Sequence, residues 1–225
     1  MDPISVKKEL ESLYNRHWTG YYDNIRSKED SSYPFLILPY DKYFTASYRV
    51  MVCGQETMSW EWEGRIDPKN PVESLMKQYE SFIYGKAKNS PIWNFEKRLR
   101  KALPAAGFVS NNIVKIGKRK GAGCDENIFR LGLEHFPVVH EEIDILKPDL
   151  VLFLTGKDYD GRIRAVLGDF TSQPIDADRY IQRLKFADPT MPPAIKTYHP
   201  GYIQRKGWYH DYASAIINEI KQFAS

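Results

Sequence analysis

Cysteine is scarce in this chain: Cys53 and Cys124 are the only two, and they show no paired spacing. That excludes a disulfide framework and gives no ligand set for a structural zinc or an iron–sulfur cluster. No apolar run approaches the length needed to span a bilayer. Met1-Asp2-Pro3-Ile4-Ser5 carries no basic-then-apolar leader pattern. The expectation is a soluble protein of a reducing compartment, cytoplasmic and without a membrane partner. Charge of one sign is also lacking. A net charge of +3 does not by itself define a nucleic-acid partner, so the local distribution of charge has to decide. There is no internal repeat and no low-complexity linker.

Apolar material is plentiful. Hydrophobic residues make up 42% of the 225 residues and aromatics 14%, enough for one well-filled core. The reading is a single domain over 1–225, monomeric, with a helix over about 5–27 as an N-terminal extension. Ser5 is the expected N-cap of that helix, followed by Leu10, Leu13, Tyr14 and Trp18 at helical spacing. Tyr33 to Asp41 reads as a loop or edge segment, and Tyr48 to Cys53 as a short buried strand. Gly54 to Gly64 reads as a loop holding Trp60 and Trp62. A helix is expected from Pro71 to a stop at Gly85. A second, opened by Ser90-Pro91, is expected to run to about Leu103.

Phe108 to Gly117 reads as a strand, and Lys118 to Asp125 as a basic, glycine-containing loop. Ile128 to Leu146 reads as helix broken or kinked at Pro137. Leu150 to Leu154 is a continuous apolar run, as in a strand buried on both faces. Ile195 to Tyr198 is a last short strand, and Tyr209 to Phe223 a final helix. This alternation predicts an α/β fold: a three-layer α/β/α sandwich with a mostly parallel central sheet of about four strands. Ligands bind such sheets beyond the carboxyl ends of the strands. Gln55-Glu56, Asn111-Asn112, Thr155-Gly156-Lys157 and His199 all fall near that rim.

Each candidate has a functional and a plain structural reading. Glu56 can orient a water or stabilise a cationic transition state, or be a loop carboxylate satisfied by backbone N–H groups or a lysine. Gln55 can meet a base edge or satisfy a turn. Asn112 can read a pyrimidine edge with its adjacent donor and acceptor, or serve a strand end. Asn111 points to the other sheet face, so only one of the pair can face a pocket. His199, before the rigid Pro200-Gly201 corner, can donate to a developing anion or be satisfied by its own turn. Lys115, Lys118, Arg119 and Lys120 can meet phosphates or simply be solvated. Tyr202 with Arg205 and Lys206 can contact or wedge into DNA, or pack on the last helix. Trp60 can stack on a base or fill core.

Gly54-Gln55-Glu56 is similar to the Gly-Gln-Asp water-activating motif of the uracil-DNA glycosylase superfamily, with Glu in place of Asp. Ser90-Pro91-Ile92-Trp93-Asn94-Phe95 looks like that family's Pro-led helix. Asn112-Ile113-Val114-Lys115 resembles the Asn-Val-Val-Lys strand of its bacterial and archaeal branch. Ile145 to Leu152 resembles that branch's Leu-Lys-Pro turn into a buried strand, and Thr197-Tyr198-His199-Pro200 matches its Thr-Tyr-His-Pro motif. The resemblance spans about residues 48 to 222 and rests on the order and spacing of the motifs. The four cysteines of the cluster-binding branch are absent. Thr57-Met58 stands where Pro-Tyr or Pro-Gly follows the first motif, and no phenylalanine stands at the usual base-stacking spacing.

The resemblance implies a hydrolase of N-glycosyl bonds acting in base-excision DNA repair, on a uracil or other damaged base flipped out of single- or double-stranded DNA. Glu56 and His199 would be catalytic. Gln55, Asn112 and Trp60 would bind the base, and Lys118, Tyr202, Arg205 and Lys206 the DNA. No metal or organic cofactor would be needed. The alternative is a non-catalytic nucleic-acid or nucleotide binder that keeps the fold; a small-molecule enzyme reusing the pocket has nothing specific in its favour.

Overall fold

The computed structural model describes residues 2–57, 60, 66–84, 89–121, 123–176 and 180–224. Met1, Met58, Trp62, Gly64 and Gly85, named above, lie outside these. Among the described residues six strands form one mixed sheet: β1 (Tyr48–Glu56), β2 (Ala106–Val114), β3 (Leu150–Leu154), β4 (Phe170–Asp176), β5 (Ile181–Phe186) and β6 (Ala194–Thr197). Their order is β2-β1-β3-β6-β5-β4. The first four in that order are parallel, while β5 runs antiparallel to β6 and β4 antiparallel to β5.

The expected sheet of about four parallel strands is therefore enlarged by an antiparallel pair. β4 escapes a reading by apolar runs because Thr171, Ser172, Gln173 and Pro174 are exposed. It is one of the two edge strands, where a proline is tolerated. In β5, buried Ile181, Leu184 and Phe186 are interleaved with Arg183 and Lys185.

The strand alternation sends side chains into two cores. Met51, Cys53, Val109, Val151 and Phe153 join one. Val50, Val52, Phe108, Leu150, Leu152 and Ile195 join the other. The helices are α1 (Pro3–Tyr21), α2 (Asp41–Thr45), α3 (Pro71–Tyr84), α4 (Pro91–Ala102), α5 (Glu126–His135), α6 (Val139–Leu146), α7 (Asp160–Leu167), α8 (Pro200–Arg205) and α9 (Tyr209–Ala224). Helices α1, α3, α5, α6 and α7 contribute to the first core, and α4, α8 and α9 to the second. Helices thus cover both faces of the sheet. None of the described helices is long and apolar enough to cross a membrane.

Several local readings change. Asp2, not Ser5, caps α1, its carboxylate accepting from Ile4 N and Ser5 N. Pro3 then suits the first helical position, where no N–H is needed. The α-helix ends at Tyr21 and continues as a π-turn over Tyr22–Arg26. Nor is α1 an appended extension: its Val6, Leu10, Leu13 and Tyr14 are core residues. The break at Pro137 separates α5 from α6, as read. Cys53 is a buried free thiol, in keeping with its place at the end of the expected buried strand.

β1 runs on past Cys53 through Gln55-Glu56 because the parallel ladder continues, with Gly54 opposite Asn112 and Glu56 opposite Val114. The glycine is required there. A Cβ on Gly54 would lie 2.6 Å from Asn112 Oδ1 and 3.1 Å from Ile92 Cδ1.

Candidate active-site cavity

A cavity of about 750 Å³ opens at the carboxyl ends of β1 and β2. Glu56, Gln55, Asn112, Trp60 and His199 all line it, although they come from well-separated parts of the chain. Its size falls within the roughly 300–1,000 Å³ of small-molecule sites.

Glu56, the last residue of β1, is held at both oxygens. Gly123 N donates to Oε1 at 3.1 Å, and Tyr159 Oη donates to Oε2. Burial, reinforced by the Glu56 charge, pushes the Tyr159 phenol well above its ordinary pKa, so it remains a donor. Arg162 lies over the Tyr159 ring, 5.0 Å from its centre, and reaches Glu126 at 2.9 Å. Tyr159 and Arg162 escape motif reading. They sit just past Thr155-Gly156-Lys157, on the rim that the strand-end rule marks, and following that rim a few residues further reaches them.

Asn112 Nδ2 donates to Thr57 Oγ1 at 2.9 Å. Asn111 lines the cavity as well, against the expectation that only one of the pair faces it, but its side-chain hydrogen bonds are committed to a buried network. Its amide donates to Glu142 Oε2 at 2.9 Å, and its Oδ1 accepts from Lys115 Nζ at 2.8 Å. Lys115 also donates to Glu142 Oε1 at 2.7 Å, as does Tyr14 Oη at 2.6 Å. That network is buried, so Lys115 is a structural cation and not a phosphate contact. Desolvation lowers the Lys115 pKa, opposed by Glu142. Gln55 Nε2 donates to the carbonyl of Thr155 at 2.8 Å, tying β1 to β3.

His199 caps α8, its Nδ1 accepting from Gly201 N at 3.1 Å. An Nδ1 that accepts leaves Nε2 as the N–H of a neutral ring; this tautomer follows from the hydrogen-bond network. Burial lowers the His199 pKa, partly offset by the Glu56 charge and aided by Arg205.

The wall opposite is aromatic. Phe35 and Trp60, Trp60 and Phe82, and Phe82 and Trp93 meet edge to face at 5.0, 5.0 and 5.2 Å. Trp60 is only 4% exposed, so it belongs to this wall and is not a free stacking surface. Half-buried Phe82 and Trp93 line the cavity as well, supplying rings that motif spacing did not locate. Below them Glu96 Oε2 accepts from Ser110 Oγ at 2.6 Å and from Arg100 at 3.3 Å. Burial raises its pKa. Two lining side chains keep a buried polar atom without a partner among the described residues: Trp60 Nε1 and Ser90 Oγ. Such atoms are costly to leave bare and mark a place for a ligand or water.

Tyr202 is half-buried on α8, with Arg205 and Lys206 exposed at its end. Lys118 is not among the residues lining the cavity; it forms an isolated bridge with Ser31. The described residues contain no group of three or more His, Cys, Asp or Glu side chains suited to a metal ion. No family model matches this chain, and no curated protein matches it.

Proposed function

We propose that the protein is a DNA glycosylase of the uracil-DNA glycosylase type, acting on a flipped-out base in a three-layer α/β/α fold. The observation carrying this reading is the convergence of Glu56, Asn112 and His199 on one cavity at the carboxyl edge of the parallel strands. Cleaving an N-glycosidic bond develops positive charge on the sugar and negative charge on the departing base. Glu56, fixed by Tyr159 and Gly123, supplies a preorganised negative charge for the sugar. The neutral His199 ring offers its Nε2–H to the base anion. Asn112, tethered by Thr57, presents its amide to the base edge. Phe82 and Trp93 bound the base on its apolar side.

The test is base release from single-stranded and duplex oligonucleotides carrying uracil or hypoxanthine. Wild-type protein should release a base, and Glu56→Gln and His199→Ala should each lower the rate by about 10²-fold or more. Undiminished release by both variants would remove these assignments. One observation favours a second reading, a non-catalytic nucleic-acid binder: both Glu56 oxygens already accept protein hydrogen bonds, leaving less room for a water. Oligonucleotide binding without release of any base would select it.

A further inference from the structure

Beside the cavity, and outside its lining, runs a line of aromatic rings. Ring centroids are 4.6 Å apart for Tyr180 and Tyr198, 4.6 Å for Tyr198 and Tyr202, and 6.2 Å for Tyr202 and Trp208. The line ends on Trp208, which stacks nearly parallel on Tyr212 at 5.8 Å and 10°. Trp208 is 40% exposed. One face of the indole thus rests on the fold while the side chain stays open to solvent.

Positive charge is concentrated beside Tyr202 and Trp208, whereas Asp158 and Asp160 act on Tyr180 at the far end of the line and exposed Asp211 lies in the first turn of α9. Arg205 and Lys206 are exposed, with Lys206 Nζ 5.7 Å from the centre of the Tyr202 ring. The chain carries no carboxylate between Asp188 and Asp211. Asp160, which acts on Tyr180 electrostatically, is paired with Lys196. Rings for bases beside cations for phosphates is the combination that single-stranded nucleic acid requires. In a duplex the base faces are already stacked on one another and cannot use the indole. The line also meets the cavity: Tyr198 precedes His199, and Tyr202 N donates to the His199 carbonyl at 2.8 Å.

We propose that Tyr202 and Trp208, with Arg205 and Lys206, form a stacking platform for single-stranded DNA that leads into the cavity. The choice of DNA rests on the glycosylase reading. The platform is tested with an oligothymidylate carrying no lesion, so base release plays no part. Fluorescence anisotropy at fixed salt should give single-strand affinity at least about tenfold above that of the matched duplex. Trp208→Ala should weaken single-strand binding by roughly tenfold and leave duplex binding unchanged, while Trp208→Phe keeps most of it. If Trp208→Ala does not fold, Lys206→Glu takes its place, with single-strand binding weakened and its salt dependence reduced. Equal affinity for the two forms, or no effect of either variant, would overturn the platform. So would Trp208→Phe binding as weakly as Trp208→Ala. Platform binding without release of any base would retain this proposal and remove the glycosylase reading. Base release with single-strand binding indifferent to Trp208 and Lys206 would do the reverse.

Discussion

Gly54 shows how a single missing Cβ organises the site. Asn112 Oδ1 occupies the space that a methyl group there would take, at 2.6 Å. Gly54→Ala should displace the Asn112 amide, destabilise the fold by about 1–3 kcal/mol and reduce base release beyond what the lost stability explains. Gly132 is the control: the nearest atom to a Cβ there is Ile116 Cδ1 at 3.9 Å, within helix α5. Gly132→Ala should stabilise by about 0.5–1 kcal/mol in urea unfolding and leave the site untouched. At this scale the sequence was informative about residue type and less so about pairing. Motif order picked out Glu56, Asn112 and His199. That Asn111 belongs to the buried network depends on Glu142, a partner 31 positions away, which local spacing cannot reveal. Tyr159 and Arg162 carry no motif at all.

Among the elements, β1, β3 and the core of β2 were legible because strands covered on both faces must be apolar throughout. An edge strand need not be, which is why polar β4 went unread, and β5, paired on both sides, went unread because its buried Ile181, Leu184 and Phe186 are interrupted by Arg183 and Lys185. Helices α5 and α6 were separable because Pro137 cannot continue a helix. What joins β2, α1 and α6 is polar: Lys115, Glu142, Asn111 and Tyr14. Lys115→Met would strand the Glu142 carboxylate in a dry interior and should cost about 3–5 kcal/mol. Lys115→Met/Glu142→Gln should lose less than the single variant, a non-additivity that urea unfolding of both proteins would measure.

For the whole molecule, the His199 environment makes stability depend on pH. Its folded-state pKa lies below the ordinary 6.5 because the ring is buried. On acidification the unfolded chain therefore takes up this proton first. Stability should fall as pH drops below about 6.5 and level off once the folded-state value is passed. Protonation also removes the Nδ1 acceptor used by Gly201 N. Unfolding midpoints measured from pH 8 to pH 5 should decline less for His199→Gln than for the wild type. The other four histidines are common to both proteins and cancel in the comparison.

The hydrogen bond from Tyr14 to Glu142 joins residues 128 positions apart. A ribosome adding about 5–20 residues per second would need roughly 6–26 s to produce the second after the first. Throughout that interval α1 has neither its acceptor nor the completed helix α6 beside it, and Val6, Leu10 and Leu13 have no completed face to pack against. Helix α1 is thus secured long after it is made, and the nascent chain carries its apolar stripe uncovered for the whole of that interval.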